Sequence, residues 1–116
     1  MSPQLSSRET VEGLMGPLDH WRVQVANASD EPIRDVIVRF GDTYDARDTM
    51  TPERIGTPGP SRVHLLGAFR EVVFRSQRMS EIATENARPD LYFTDAGGVR
   101  WRLDEHGELF EAPVAP

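Results

Sequence analysis

Apolar and polar residues alternate one by one along much of this chain, and clusters of Gly, Pro, Asn and Asp interrupt the alternation at short intervals. A helix cannot keep such a pattern on one face, whereas a strand with one buried side requires it. In residues 20–27, Trp21, Val23 and Val25 alternate with Arg22 and Gln24. Asn27-Ala28-Ser29-Asp30-Glu31-Pro32 then reads as a turn, rich in side chains that bond nearby backbone. In Ile33–Phe40, Val36, Val38 and Phe40 share a face, with Arg34 at the entry and Ile37 opposite. The two segments are expected to pair as antiparallel neighbours. Val63, Leu65, Leu66 and Phe69, then Val72, Val73 and Phe74, predict two further strands around Gly67-Ala68.

The last third repeats the pattern most clearly. Leu91 to Asp95, Val99 to Asp104 and Glu108 to Phe110 are separated only by Ala96-Gly97-Gly98 and Glu105-His106-Gly107, which predicts two consecutive tight hairpins. Val99, Trp101 and Leu103 face inward, Arg100 and Arg102 outward, and Pro89 opens the first strand where its missing N–H costs least. The predicted fold is all-β, an antiparallel immunoglobulin- or fibronectin-like sandwich of six to eight short strands.

Three segments depart from period two. Ser6 and Glu9 form a capping box, and Val11, Leu14 and Met15 then fall on one face of a short N-terminal helix that Gly16-Pro17 would stop. Gly13 and its shortness leave this helix dependent on a surface to lie on. Residues 41–60 contain Gly-Asp, Thr-Pro and Pro58-Gly59-Pro60, and predict a mobile loop or a short irregular edge strand. Residues 76–87 fit either an edge strand, through Ser80, Ile82 and Thr84, or a helix, through Met79, Ile82 and Ala83; the strand is favoured. The expected organisation is a flexible N-terminus over residues 1–18, a sandwich over 19–111 and a tail over 112–116.

At 116 residues the chain has length for one domain and for one core, with about two thirds of its surface buried. The absence of cysteine excludes disulfide frameworks, thiolate zinc sites and cysteine nucleophiles. A net charge of −6, with the arginines dispersed among the acids, argues against nucleic acid as a partner. No apolar run is long enough to cross a bilayer as a helix, and the first residues show no export signal, so a cytoplasmic location is expected.

Asp42, Asp45 and Asp48 are the densest carboxylates, but their spacing lacks the Asp-x-Asp-x-Asp-Gly core of a calcium loop and they read as solvated. His20, His64 and His106 have no metal-ligand spacing, and Gly59-Pro60-Ser61 lacks the second glycine of a nucleophile elbow. Asp95 and Asp104 each end a strand before a turn, which is ordinary turn chemistry before it is acid–base chemistry. Asn27-Ala28-Ser29 fits a glycosylation sequon as well as a turn, and the turn is preferred. Trp21 and Trp101 should be core residues. Arg100 and Arg102 form either a small recognition stripe or cross-strand pairs with Glu108 or another acid.

Two stretches carry a resemblance. Trp21 to Val38 reads Trp-x-Val-x-Val-x-Asn-x-Ser-x-x-Pro-Ile-x-Asp-Val-x-Val, and Pro89 to Leu109 contains Pro-x-Leu-Tyr-Phe-Thr-Asp-Ala-x-Gly-x-x-Trp-Arg followed by Gly-x-Leu. Together they resemble small uncharacterised β-sandwich domains of actinobacterial proteins, over about a third of the chain. All 13 basic residues are Arg, as codon bias in a GC-rich genome would produce. The resemblance implies an accessory module and brings no catalytic residues. The expected function is therefore non-enzymatic: a protein-interaction or assembly module, needing no cofactor or metal. It would dock on another protein, on a copy of itself or in a larger particle, through sheet edges or the N-terminal helix. The candidate contacts are Val11, Leu14, Met15, Arg100 and Arg102. The alternative is a small-molecule or carbohydrate-binding protein, or a minor enzyme, using the 41–60 loop.

Overall fold

Ten strands and one short helix make up the secondary structure of the computed structural model, which describes residues 4–13, 16–41, 44–52, 56–104 and 106–112. In chain order they are β1 (Gln4–Gly13), β2 (Gly16–Ala26), β3 (Ile33–Phe40), β4 (Tyr44–Asp45), β5 (Asp48–Met50), β6 (Val63–Leu66) and β7 (Glu71–Arg75). Helix α1 (Glu81–Asn86), β8 (Pro89–Thr94), β9 (Arg100–Leu103) and β10 (Leu109–Glu111) follow. One antiparallel sheet has the order β1-β2-β7-β5; the other runs β10-β9-β8-β3-β4, with β6 also paired to β3. Among the described residues no helix is long and apolar enough to cross a membrane.

The predicted alternation is observed most clearly in β7 and β8, whereas β6 and β10 do not alternate and Leu65 and Phe69 are exposed. Trp21, Val23, Val25, Val72 and Phe74 of the four-stranded sheet meet Val36, Val38, Phe40, Leu91, Phe93 and Leu103 of the six-stranded sheet in one buried cluster. Each sheet covers the apolar face of the other. That explains one correction: β2 and β3 are not neighbours but lie in different sheets, since side by side they would direct both apolar faces the same way and need a further layer. The turn between them is a corner. Asn27, 1% exposed, donates through Nδ2 to the carbonyls of Glu31 (2.8 Å), Leu66 (3.2 Å) and Gly67 (3.1 Å), and its own N–H donates to Arg70 O at 2.9 Å. One side chain thereby ties the β2–β3 corner to the β6–β7 corner, where the chain also changes sheet.

Two further expectations are corrected. The segment predicted as an N-terminal helix is strand β1, paired along its whole length with β2 from Gln4↔Val25 to Gly13↔Gly16. The open edge of β2 offers a continuous ladder along ten residues, and a short helix interrupted by glycine cannot match that gain. Val11 therefore lies opposite Leu18 in a ladder, and Leu14 and Met15 lie outside the described residues. Residues 81–86 are helix, not strand, because the Ser80 side chain caps Ala83 N–H and buried Thr84 donates to Ser80 O at 2.8 Å. Met79, Thr84 and Ala87 turn inward while Ile82 faces solvent, and Trp21 Nε1–H donates to Thr84 O at 2.8 Å, fastening α1 to β2. Residues 41–60 contain the short strands β4 and β5, as the edge-strand expectation allowed.

The two C-terminal hairpins share one turn design. Asp95 and Asp104 each donate their backbone N–H to the carbonyl of the residue four further on, accept its N–H on Oδ1 at 2.9 Å, and are followed three residues later by a glycine at positive φ, Gly98 at 86° and Gly107 at 81°. Only glycine enters that region without penalty, so Asp-x-x-Gly is the local instruction for both turns.

Candidate functional site

Strand β9 carries Arg100 and Arg102 on the outer face of the six-stranded sheet and Trp101 on the inner face, as its alternation requires. Arg102 lies opposite Tyr92 on β8 and Phe110 on β10, and its Nη2 donates to Asp90 Oδ2 at 3.1 Å. Burial works against the Arg102 charge, but Asp90, with Tyr92 and Asp104, outweighs it and raises the guanidinium above its usual range. The partner is an acid other than Glu108, and the pair is cross-strand.

Arg100 is held differently. Its Nη1 donates to two neutral acceptors, Asp35 O at 2.7 Å and Thr94 Oγ1 at 3.1 Å. Nε and Nη2 are buried and have no hydrogen-bond partner. Burial pushes the guanidinium below the usual arginine range; Asp35 opposes this and Arg62 reinforces it. The Asp35 carbonyl is available because β3 is bulged there: the β3–β8 register shifts between Arg34 and Ile37, and Asp35 sits at φ 49°. Around this point lies a hollow of about 260 Å³. Arg100, Thr94 and Asp35 form one side, Arg62 and His64 the other, over apolar Ile37 and Val63. Arg62 Nη2 donates to Asp45 Oδ2 at 3.2 Å, and His64 Nδ1 lies 3.7 Å from Asp35 Oδ1.

On the inner face, a groove of about 360 Å³ runs past Trp101, Phe93, Ile33, Pro32 and Leu109. Trp101 packs against the core without being fully covered, and its Nε1–H donates to Asp95 Oδ2 at 2.9 Å. That bond, with the Val99 N–H, lowers the Asp95 pKa; the Glu108 N–H does most to lower that of Asp104. Beyond β9, β10 ends the sheet with Leu109 46% and Phe110 42% exposed. Asp104 N–H donates to Glu108 O at 2.9 Å and Ala112 N–H donates to Arg100 O at 2.8 Å, so the 108, 110 and 112 backbone groups turn toward β9. Those of Leu109 and Glu111 turn outward.

The other sequence candidates do not converge. Asp48 is clamped by Arg75 through bonds of 2.7 and 2.8 Å and by Arg47 at 3.2 Å, while Asp45 faces Arg39 and Arg62; Asp42 lies outside the described residues. His20 is buried in β2, His64 stands exposed on β6 and His106 sits in the β9–β10 turn. Among the described residues no three His, Asp or Glu side chains are grouped to hold a metal ion. The Asn27 amide is buried and fully engaged, as the turn reading requires.

Sequence reading missed Asp35, Arg62 and Thr94. A signal for Asp35 was present: Arg34-Asp35 places two polar residues in a row and moves the inward positions from odd Ile33 to even Val36, which is the parity change of a bulge. Arg62 and Thr94 carry no local signal, since only the pairing of β6 and β8 on either side of β3 brings them together. No family model, curated protein or solved structure matches this chain.

Proposed function

We propose that this chain is a non-enzymatic protein-interaction module of immunoglobulin-like architecture that docks an extended segment of its partner on strand β10. The orders β1-β2-β7-β5 and β9-β8-β3 parallel the A-B-E-D and G-F-C orders of an immunoglobulin constant-type sandwich, which supports the architectural part of the reading. The observation that carries the docking is the β10 edge itself. It is terminal in its sheet, exposes Leu109 and Phe110, and turns the Leu109 and Glu111 backbone outward to accept another strand. Specificity would come from the groove beside Trp101 and Leu109 on one face and from Phe110 and Arg102 on the other.

The test is selection of a random peptide library on the full chain, followed by amide exchange of the complex. Enriched peptides should alternate apolar residues and slow exchange at Leu109 and Glu111. Leu109→Pro, which removes an outward N–H where an edge strand tolerates proline, should abolish binding. Peptides that bind Leu109→Pro equally well, or that protect another segment instead, would refute the reading. A self-partner is the special case in which two β10 edges pair antiparallel, and the same substitution would then convert a dimer to a monomer in sedimentation.

A further inference from the structure

We propose that the hollow around Arg100, on the opposite face from the Trp101 groove, is a binding site for a carboxylate carried on a short aliphatic body. The proposal is independent of β10 docking.

Three observations carry it. Arg100 is the cation of this surface whose acceptors are a backbone carbonyl and a hydroxyl, and two of its nitrogen positions are buried with no acceptor at all. A buried polar group left in that state is costly, and a bound anion is one standard way it is satisfied. Arg62 lines the same hollow, so a second guanidinium, held at 3.2 Å by Asp45, stands within reach of an anion bound to Arg100. The local charge fixes the kind of anion. Among the groups that line the hollow, Arg62 and Arg100 face Asp35, two positive charges against one negative, which leaves one and matches a monoanion better than a phosphate dianion. Ile37, 5% exposed, and Val63 supply an apolar floor that a bare ion would not use. A space of about 260 Å³ admits a small acid or the last residue of a peptide rather than a drug-sized ligand.

The bulge at Asp35 gives this arrangement a structural reason. A regular β3 would turn that carbonyl into the ladder; the bulge turns it to Arg100 and positions the guanidinium over the outer face. Because Nε and Nη2 are covered, binding requires a small shift of the groups around them.

Backbone amide shifts of the isotopically labelled full chain, followed through titration, test the site. The probes are 3-methylbutanoate for a free aliphatic acid, N-acetyl-leucine for a peptide C-terminus, acetate for the charge alone, and inorganic phosphate. Either or both of the first two should move the Ile37, Val63 and Thr94 amides saturably with a Kd on the order of 1 mM, and whichever binds tighter identifies the source. Acetate should bind at least about fivefold more weakly, since it leaves the floor uncovered. Arg62→Gln, at an exposed position outside the core, should weaken binding at least about fivefold, and Arg100→Gln should abolish it. No saturable shift at about 50 mM of either larger acid would overturn the proposal, as would phosphate binding tighter than both or an Arg62→Gln affinity equal to that of the parent.

Discussion

Replacing Asn27 should unfasten two corners of the fold at once. The Asn27 amide donates to Glu31 O, Leu66 O and Gly67 O, while its Oδ1 accepts Ser29 N–H at 3.2 Å and Ser29 Oγ–H at 2.7 Å. In Asn27→Ala the Leu66 carbonyl stays buried without a donor, at about 1–3 kcal/mol, and the partly exposed carbonyls add a fraction of that as water reaches them. The total is about 3 kcal/mol, or a fall in Tm of about 12 °C for a domain this size. Urea unfolding followed by the fluorescence of Trp21 and Trp101 measures it, with the slope unchanged if the fold is retained. Asn27→Asp separates hydrogen bonding from packing, because it keeps the shape and points a carboxylate oxygen at three carbonyls. Its folded pKa must then rise above the unfolded value of about 3.9, so the variant's stability is fullest below that value and is lost as pH rises through the raised one. A loss below about 1 kcal/mol in Asn27→Ala, or no pH dependence in Asn27→Asp, would show that the corners are held by packing alone.

Asp48 predicts the opposite pH sense. Burial opposes its charge, but the Arg75 hydrogen bond and charge, with Arg47, outweigh it and hold the carboxyl below the ordinary 3.8. Its contribution is full above the unfolded pKa and is lost as pH falls through the lower folded value; Asp48→Asn should cost about 1–2 kcal/mol at neutral pH and flatten the acid limb of the stability curve. In the twin hairpins, Gly98→Ala and Gly107→Ala should each cost about 1 kcal/mol by urea midpoint, because both positions need positive φ. Gly97→Ala, where φ is not positive and the added Cβ meets only Asp95 Oδ1 at 3.4 Å, should cost less; equal costs at Gly97 and Gly98 would contradict the turn assignment.

How much of this was legible depended on how local each determinant is. The β8–β9–β10 hairpins could be read in full, since Asp-x-x-Gly and the alternation around Trp101 act within a few residues. Partner choice could not. Apolar patterns in β2 and β3 state which face is buried but not which strand lies alongside, and the decision rests on Asn27 reaching Leu66 and Gly67, about forty residues away. The N-terminus failed for a related reason: a capping box is a preference of a few tenths to about 1 kcal/mol, and an open β2 edge that pairs along ten residues outweighs it. At residues 76–87 Ile82 fits the helical face and the edge strand alike and does not decide between them; the Ser80 cap and buried Thr84 decide for α1, which turns Ile82 to solvent.

The surface has an internal standard against which the candidate sites stand out. The chain has no lysine and a net charge of −6, and six of its arginines sit against acids: Arg75 and Arg47 with Asp48, Arg62 and Arg39 with Asp45, Arg102 with Asp90, Arg88 with Glu85. Arg100 instead donates to neutral oxygens and leaves two buried nitrogens without acceptors. The edges show the same contrast. Strand β5 is covered by the Thr49↔Gly59 bridge, between Pro58 and Pro60, which is how natural sheets protect an edge from pairing. Among the described residues strand β10 has no such cover, and it presents Leu109 and Phe110. An under-satisfied guanidinium and an edge with exposed apolar side chains thus lie on the adjacent strands β9 and β10. Ligand and partner are therefore best sought there, and the two should be separable, because Arg100 and Leu109 belong to opposite faces of the same sheet.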